Sequence, residues 1–323
     1  MASIGDVAKL AGVSRSTVSL VCNNKGYVSD ETRKKIEKAM KELNYIPSEL
    51  GRNLKMQKSG IVGIIVPDIA HPFFSTFIKY AEKELYSRGY KALVCGTAGR
   101  EDVEEAYLQM LDRRTMDGVI MGAHSLKKER YLKIDRPIVT IDCYLADYIP
   151  TVHVDKRQVA EKAASLFLEK NRKKVVQLVS SHTIKNYEEE QLFHELLEKQ
   201  GCEVVDISIG YNTFTAEGYK DAAERIFEEC SDMDGIFGVD MAAIACLREA
   251  KLRKLKVPEE LSIVSIDGTY ITKLGPEILT SIVQPIEKMA KKLVSMIILQ
   301  IEGKQVEEIK AIFDVEIQDG ETC

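Results

Sequence analysis

Short runs of apolar, largely β-branched residues alternate with helix-length amphipathic segments from residue 61 onward. The first run, IVGIIV, has the length of a strand, and similar runs follow at 91–95, 117–121, 138–141, 152–154, 174–179, 203–209, 234–238 and 261–266. Strands that alternate with helices form parallel sheets covered by helices on both faces. We therefore expect two such sheets, with a cleft beyond the carboxyl ends of their strands.

Length and charge divide the chain into a small basic part and a large acidic part. The 323 residues exceed what one core accommodates, so two or three domains are expected. Residues 1–58 hold 11 Lys and Arg against 6 Asp and Glu, a net of +5, whereas residues 59–323 hold 34 against 44, a net of −10. Only the N-terminal part is suited to neutralise the phosphates of nucleic acid. The alternative is that this basic face is simply solvated.

The first 46 residues carry the start signals of three short helices. Ser3, followed three residues later by Asp6, predicts the cap of the first helix. Ser14 predicts the cap of a second helix over 15–23, and Ser29 the cap of a third. A short connection containing glycine between the first two helices is typical of the helix-turn-helix arrangement.

The start of the second helix is the predicted DNA-reading surface. A recognition helix presents its first residues to base edges in the major groove, where arginine pairs with guanine. The alternative is that short polar residues only cap a helix, but capping needs a single serine. The residues expected to contact DNA are Ser14, Arg15, Ser16, Thr17 and Ser19.

These residues resemble the headpiece of the LacI/GalR repressors. The resemblance rests on Asp6-Val7-Ala8, Ala11-Gly12-Val13-Ser14, Thr17-Val18-Ser19 and Asn23. It implies a DNA contact for Asn23 as well. Leu20 departs from the family, which usually has an arginine or another polar residue at this position.

The same resemblance implies a hinge helix that folds when two subunits meet on DNA. Leu43-Asn44-Tyr45-x-Pro47 is similar to the end of the family's third helix, and Arg52-x-Leu54-Lys55 to its hinge. In the family, the leucine that matches Leu54 enters the minor groove, where an apolar wedge unstacks a base step. We expect Leu50 to face the partner hinge, although packing of the two leucines against each other is compatible with this. The implied DNA contacts are Leu50, Arg52, Asn53, Leu54 and Lys55.

The region after residue 60 resembles the sensor half of the family, which is similar to periplasmic sugar-binding proteins. The similar segments are Pro67-Asp68-Ile69 with Pro72-Phe73-Phe74, Asp117-Gly118-Val119-Ile120, 257–262 with Asp267, and 280–285. By that resemblance, the effector-binding residues are Phe73, Phe74, Asp142, Glu189, Asp240 and Asp267. Each aspartate could instead cap a helix, and the two aromatic residues could equally belong to the core.

Glu189 and Val239 depart from the family where a small molecule is bound. Many members have an effector-binding arginine at the first position and an asparagine at the second. A carboxylate in place of a guanidinium reverses the charge offered to a ligand. Either the effector is cationic or neutral, or the cleft does not bind a conventional sugar.

Enzyme, cofactor and metal motifs are absent from the sequence. G-x-G-x-x-G, G-x-x-x-x-G-K-[ST], H-E-x-x-H and G-x-S-x-G do not occur, so we expect no catalysis, no cofactor and no metal. His71 is expected near the cleft, as an ordinary hydrogen-bonded loop residue. Seven cysteines without a C-x-x-C pair, no secretory signal and no membrane-spanning run predict a cytoplasmic protein without a membrane partner.

The predicted architecture is an all-α helix-turn-helix headpiece followed by an α/β, periplasmic-binding-protein-like body of two parallel-sheet subdomains. The expected divisions are a headpiece at 1–46, a hinge helix and linker at 47–59, a sensor and dimerisation body at 60–323, a first subdomain at about 60–155 and 286–310, and a second at about 156–285 and 311–323. A last strand is expected at 312–317, with a frayed end after it.

The predicted function is sequence-specific transcriptional regulation by a repressor that binds a palindromic operator in double-stranded DNA. A homodimer is expected, because one small headpiece offers few contacts and two-fold symmetric half-sites multiply them. A small-molecule effector in the cleft, such as a sugar or another metabolite, would change the affinity for DNA. The alternatives are a regulator controlled by a protein co-effector and a plain solute-binding protein, which the headpiece argues against.

Overall fold

The computed structural model describes residues 2–23, 26–46, 58–180, 187–209 and 215–323. The chain divides into two compact units, Met1–Ser59 and Gly60–Cys323. Each unit has its own hydrophobic core. Among the described helices, none has the length and apolar character needed to cross a membrane.

The described residues of the first unit form a headpiece of three helices. Their bounds are Ile4–Ala11 (α1), Arg15–Cys22 (α2) and Asp30–Glu42 (α3). The hydroxyl groups of Ser3, Ser14 and Ser29 each accept a hydrogen bond from the backbone N–H three residues further on, as predicted. Gly12 ends α1 with a φ of 66°, a left-handed conformation that favours glycine, and this bend starts the turn into α2.

A small core holds the three headpiece helices together. Both α1 and α2 have an apolar face with helical periodicity, which the sequence had indicated. Ala11 and Val13 pack at the edge of this core, beside the turn. The buried members are Val7, Ala8, Val18, Val21, Ile36 and Ala39.

The second unit, which we call the body, contains two six-stranded sheets. The strands of the first sheet are Ile61–Val66 (β1), Lys91–Gly96 (β2), Gly118–Met121 (β3), Ile138–Ile141 (β4), Thr151–Val154 (β5) and Lys310–Phe313 (β11). They are all parallel and lie in the order β11-β5-β4-β3-β1-β2. The described helices that cover this sheet are Pro72–Ser87 (α4), Glu101–Asp112 (α5), Lys128–Leu132 (α6) and Ile286–Ile301 (α11).

The second sheet is built in the same way. Its strands are Lys174–Ser180 (β6), Glu203–Ile209 (β7), Gly235–Val239 (β8), Ser262–Asp267 (β9), Thr280–Val283 (β10) and Glu316–Gln318 (β12). Their order is β12-β10-β9-β8-β6-β7, and β12 alone among these pairings runs antiparallel to its neighbour. The described helices of this half are Lys156–Glu169 (α7), Tyr187–Glu198 (α8), Ala216–Glu229 (α9) and Asp240–Leu252 (α10).

The last crossing between the sheets differs from the expectation. The single strand expected at 312–317 is two strands, β11 and β12, which belong to different sheets. Val315 is buried between them, so the chain turns there from one sheet to the other. The subdomain boundary expected at about 310 falls within β11, which pairs with β5 up to Phe313.

The C-terminal residues pack into the second sheet, and the expected frayed end is wrong. Thr322 is fully buried, and its hydroxyl donates to the carbonyl oxygen of Ile263 at 2.7 Å and accepts from the N–H of Thr280 at 3.0 Å. The N–H of Ile263 donates to the carbonyl oxygen of Thr322 at 2.7 Å. The tail therefore joins the starts of β9 and β10, a long-range pairing that its short polar sequence does not signal.

Thr322→Val is expected to lower the free energy of unfolding by about 1–3 kcal/mol. The isosteric side chain would leave a buried carbonyl oxygen and a buried N–H without their partner. Thr115→Val is the matched control, because the side chain of Thr115 is exposed, and its effect should stay within ~0.5 kcal/mol. Chemical denaturation measures both, and equal stability of the two variants would contradict the buried role of Thr322.

Candidate functional site

Three hydroxyl groups cluster at the start of α2. The Oγ of Ser14 accepts from the N–H of Thr17 at 3.1 Å and lies 2.6 Å from the Oγ of Ser16 and 2.8 Å from the Oγ1 of Thr17. Ser14 and Ser16 are exposed, and the N-terminus of a helix favours an approaching anion. Because hydroxyl groups rotate, this cluster can exchange its internal hydrogen bonds for bonds to phosphates or base edges.

Arg15 lies across the first turn of α1. A Cβ added at Gly5 would come within 2.9 Å of its Nη2, so glycine leaves room for the guanidinium. The pKa of the neighbouring Asp6 is lowered, first by hydrogen bonds from Ser3 and then by the charges of Lys9 and Arg15. Arg15 is exposed and its side chain is long, so it can leave this position for DNA.

Ser19 and Asn23 close the other end of α2. The Nδ2 of Asn23 donates to the carbonyl oxygen of Ser19 at 2.7 Å and to its Oγ at 3.3 Å. This contact caps the last turn, and direct DNA contacts by the two residues stay predictions. The predicted hinge contacts lie outside the described residues: Leu50, Arg52, Asn53, Leu54 and Lys55.

The body brings residues of both sheets together at the carboxyl ends of their strands, which we call the cleft. His71, which precedes α4 after β1, lies with its Nε2 3.4 Å from the hydroxyl of Tyr219 on α9. Burial lowers the pKa of His71 from 6.5 to about 4, against the opposing charge of Asp68. The histidine ring is therefore neutral at physiological pH, as in the ordinary loop role expected for it.

The two phenylalanines expected in the cleft separate into different roles. Phe73 is buried in the core under the first sheet, whereas Phe74 is partly buried and packs against the ring of His71 at a centroid distance of 5.6 Å. A Cβ at Gly122 would lie 3.1 Å from the ring of Phe74, so this glycine after β3 makes space for it. Phe74 is thus the aromatic residue positioned beside the cleft.

Asp240 supports a loop of the cleft from inside. Its carboxylate accepts from the hydroxyl of Ser265 at 2.8 Å, from the N–H and hydroxyl of Thr269 at 2.7 Å each, and from the N–H of Gly268 at 3.3 Å. Burial raises its pKa, and these hydrogen bonds oppose the shift. Asp240 is 1% exposed, and its oxygen atoms accept hydrogen bonds from the loop. A direct contact between Asp240 and an effector stays a prediction.

Asp267 stands at the end of β9, next to that loop. Its φ is 109°, a conformation that L-residues rarely adopt and that is often found where a side chain is held for a function. The Nε2 of Gln284 donates to its Oδ1 at 2.8 Å. Burial raises the pKa of Asp267 well above its ordinary value, and the charges of Asp240 and Asp142 raise it further.

Asp142 faces Asp267 from the other sheet. It follows β4, has a φ of 54°, and its charge contributes to the raised pKa of Asp267. Glu189 lies on α8, and its side chain is outside the described residues. The structure therefore places Asp142 within electrostatic reach of Asp267, and Phe74 beside His71 at the same cleft.

Tyr219 and Gln284 belong to the same cleft and were missed in the sequence. Burial raises the pKa of Tyr219, and the charges of Asp267 and Asp68 raise it further. The Oε1 of Gln284 is buried and accepts no hydrogen bond from the described residues. The crossover sequence 280–285 was the one signal that could have indicated Gln284, because it leads directly from β10 to α11.

His71 should make the stability of the protein depend on pH between about 6.5 and 4. The unfolded chain takes up a proton near pH 6.5 while the folded chain does not, so the free energy of unfolding falls as pH falls through this window. We expect the free-energy difference between wild type and His71→Asn to shrink by about 2 kcal/mol from pH 7.5 to pH 5. Urea unfolding at both pH values measures it. A constant difference would mean that His71 titrates normally.

Comparisons with known proteins agree with this division into headpiece and body. Residues 3–48 match the model of the bacterial regulatory proteins of the lacI family, and residues 164–323 match that of the periplasmic binding protein-like domain. The sucrose operon repressor of Streptococcus mutans is 33% identical, over 94% of this chain and 93% of the repressor.

Solved structures with the same fold cover the body and the whole chain. A periplasmic binding protein/LacI transcriptional regulator from Alkaliphilus metalliredigens, complexed with D-xylulofuranose, has 25% identity and a TM-score of 0.73 over 81% of this chain and 98% of its own. The lac repressor dimer bound to operator and an anti-inducer has 21% identity and a TM-score of 0.85 over 99% of this chain and 98% of its own. The chain belongs to the lacI family of bacterial regulatory proteins and is a DNA-binding transcriptional repressor with a ligand-binding domain.

Proposed function

We propose that this repressor binds a palindromic operator as a homodimer and that a ligand in the cleft modulates its affinity for DNA. The observation that carries the proposal is the exposed start of α2, where Ser14, Arg15 and Ser16 project from a capped helix in a basic headpiece. Such a helix end reads base edges in the major groove. The protein acts without catalysis, in the cytoplasm, where its DNA target lies.

Exposed apolar side chains on the body support dimerisation. Val94 belongs to the edge strand β2 and Ile69 lies beside it, while Tyr270, Leu274 and Ile278 lie between β9 and β10. Their exposed fractions run from 40% to 73%. Apolar surface of this kind marks protein contact sites, and a two-fold axis would cover it on both copies at once.

In this proposal the hinge residues act only in the dimer on DNA. Leu50 contacts the partner hinge, while Leu54 enters the minor groove at the centre of the operator and kinks the duplex. Arg52, Asn53 and Lys55 contact the backbone or bases beside it. This assignment rests on the resemblance of Arg52-x-Leu54-Lys55 to the family's hinge.

The proposed effector is a small neutral or cationic molecule with several hydroxyl or amine groups, such as a sugar. Asp142 and Asp267 offer carboxylate oxygens, and the Oε1 of Gln284 offers an amide oxygen. All three accept hydrogen bonds from donor groups. Phe74 provides an apolar surface for the face of a sugar ring, and Glu189 adds a further carboxylate by its place in the family pattern.

A protein co-effector is the second candidate, and one feature of the body favours it. An open cavity of about 910 Å³ lies between α4, the loop after β9 and the start of α11. Lys79, Lys273, Lys288 and Lys291 line it together with a single acidic residue, Glu287. This charge suits an acidic or phosphorylated protein surface better than a neutral metabolite.

Selection from a pool of random duplexes should return a two-fold symmetric sequence. Two headpieces related by dimer symmetry read the same half-site in opposite directions, with centres separated by about one helical turn of DNA or a multiple. Sequencing of the bound duplexes measures the symmetry, and sedimentation of the complex measures two chains per duplex. A single unpaired half-site would rule out the dimeric arrangement.

A thermal-shift screen of sugars, nucleosides and amines should find a stabilising ligand whose effect depends on Asp267. We expect Asp267→Asn to weaken that ligand about 10-fold, as for the loss of a hydrogen bond of roughly 1.5 kcal/mol. Asp221→Asn is the matched control, because Asp221 is exposed on α9 of the same subdomain. An equal loss of ligand affinity in both variants would argue against ligand binding in the cleft. No shift with any compound would favour the protein co-effector.

A further inference from the structure

Buried and exposed residues alternate along α2 with the period of a helix. Val18 and Val21 are buried against the other headpiece helices. Ser16 and Leu20 lie one turn apart on the opposite face, because residues four apart share a side of a helix. Leu20 is 39% exposed, so a large apolar side chain projects from the face that carries the proposed DNA contacts.

The polar groups around Leu20 have hydrogen-bond partners in the headpiece, and they can exchange these for partners on DNA. The hydroxyl of Ser16 bonds to that of Ser14, and Asn23 bonds to Ser19. Leu20 has no polar atom in its side chain to exchange. It gains free energy from DNA only where it covers an apolar group.

Leu20 is also held in place on one side. A Cβ added at Gly26 would lie 3.3 Å from the Cδ2 of Leu20, so the backbone at Gly26 packs alongside this side chain. Gly26 has a φ of 72°, which favours glycine and keeps this approach close. A side chain supported in this way occupies a defined position when the helix enters a groove.

The major groove presents one apolar group, the C5-methyl of thymine. Every other base edge there presents donors and acceptors, and a leucine against such an edge would remove water without replacing its hydrogen bonds. We propose that Leu20 contacts the C5-methyl of one thymine in each operator half-site and so selects an A·T pair at that position. The inference rests on the proposed function, because it requires α2 to enter the major groove.

Deoxyuridine tests this contact, since it differs from thymidine by that methyl group alone. The selected operator is prepared with each thymine of the half-site replaced in turn by uracil, symmetrically in both half-sites, and binding by the full chain is measured. For the wild type, we expect one position where the replacement weakens binding about fourfold per methyl. At that position, Leu20→Ala should bind both duplexes equally, while Leu20→Met should keep the preference for thymine.

Leu10→Ala is the matched control, because Leu10 is an exposed leucine on α1, at 46%, and its loss should leave the thymine preference intact. If Leu20→Ala fails to fold, Leu20→Gln replaces it, since glutamine keeps the helix propensity and the length without the apolar end. The proposal is overturned if no thymine methyl contributes in a way that depends on Leu20, as when the leucine contacts a second headpiece. If an operator is selected but shows no such effect, the thymine contact is wrong and the proposed function stands. If no operator can be selected, the proposed function is wrong.

Discussion

The carboxylate of Asp240 organises the cleft edge of the second sheet. An ionised group with 1% exposure is stable only when its oxygen atoms are fully hydrogen-bonded, because the desolvation of a charge is costly. Ser265, Gly268 and Thr269 supply those bonds from the end of β9 and the loop after it. The path of this loop is therefore fixed by a buried carboxylate, and Asp267, with its unusual φ, lies between two of the bonded residues.

Fixing the loop brings Asp267 close to two other carboxylates. The charges of Asp240 and Asp142 both disfavour ionisation of Asp267, and one of them belongs to each sheet. A ligand that donates hydrogen bonds or carries positive charge weakens the repulsion between these carboxylates. The free energy gained in this way depends on the distance between Asp142 and Asp267. Because a ligand shifts a conformational equilibrium by its differential affinity for the two states, this pair is where the proposed effector would couple binding to closure of the body.

The contact between His71 and Tyr219 links the two halves on another side of the same cleft. At 3.4 Å it is a long hydrogen bond between neutral groups, which contributes little on its own. Burial keeps His71 neutral, so the contact adds no charge that would lock the two halves together. Because this hydrogen bond is weak, a ligand in the cleft can still change the distance between the two halves.

The sequence predicted local features well and distant partners poorly. Strands such as Ile61–Val66 and caps such as Ser14 follow from periodicity and from residues three or four apart, so they could be assigned without the structure. The hydrogen bonds of Asp240 reach residues 25 to 41 positions away, and those of Thr322 reach residues 42 and 59 positions away. A sequence gives the residue types but not these partners, which is why the loop held by Asp240 was not foreseen and the C-terminal tail was expected to fray.

In the headpiece, the position that a polar side chain occupies without DNA can affect which DNA sequence is preferred. Arg15 rests over Gly5, near the carboxylate of Asp6, in the free headpiece. On a site without guanine at the right place, the guanidinium loses little by staying there. Guanine offers two acceptors to a bidentate arginine, which is the contact that we propose for Arg15 when it leaves this position. Specificity is a difference between affinities, so under the proposed function a resting position for Arg15 within the headpiece would favour sites with guanine over sites without it.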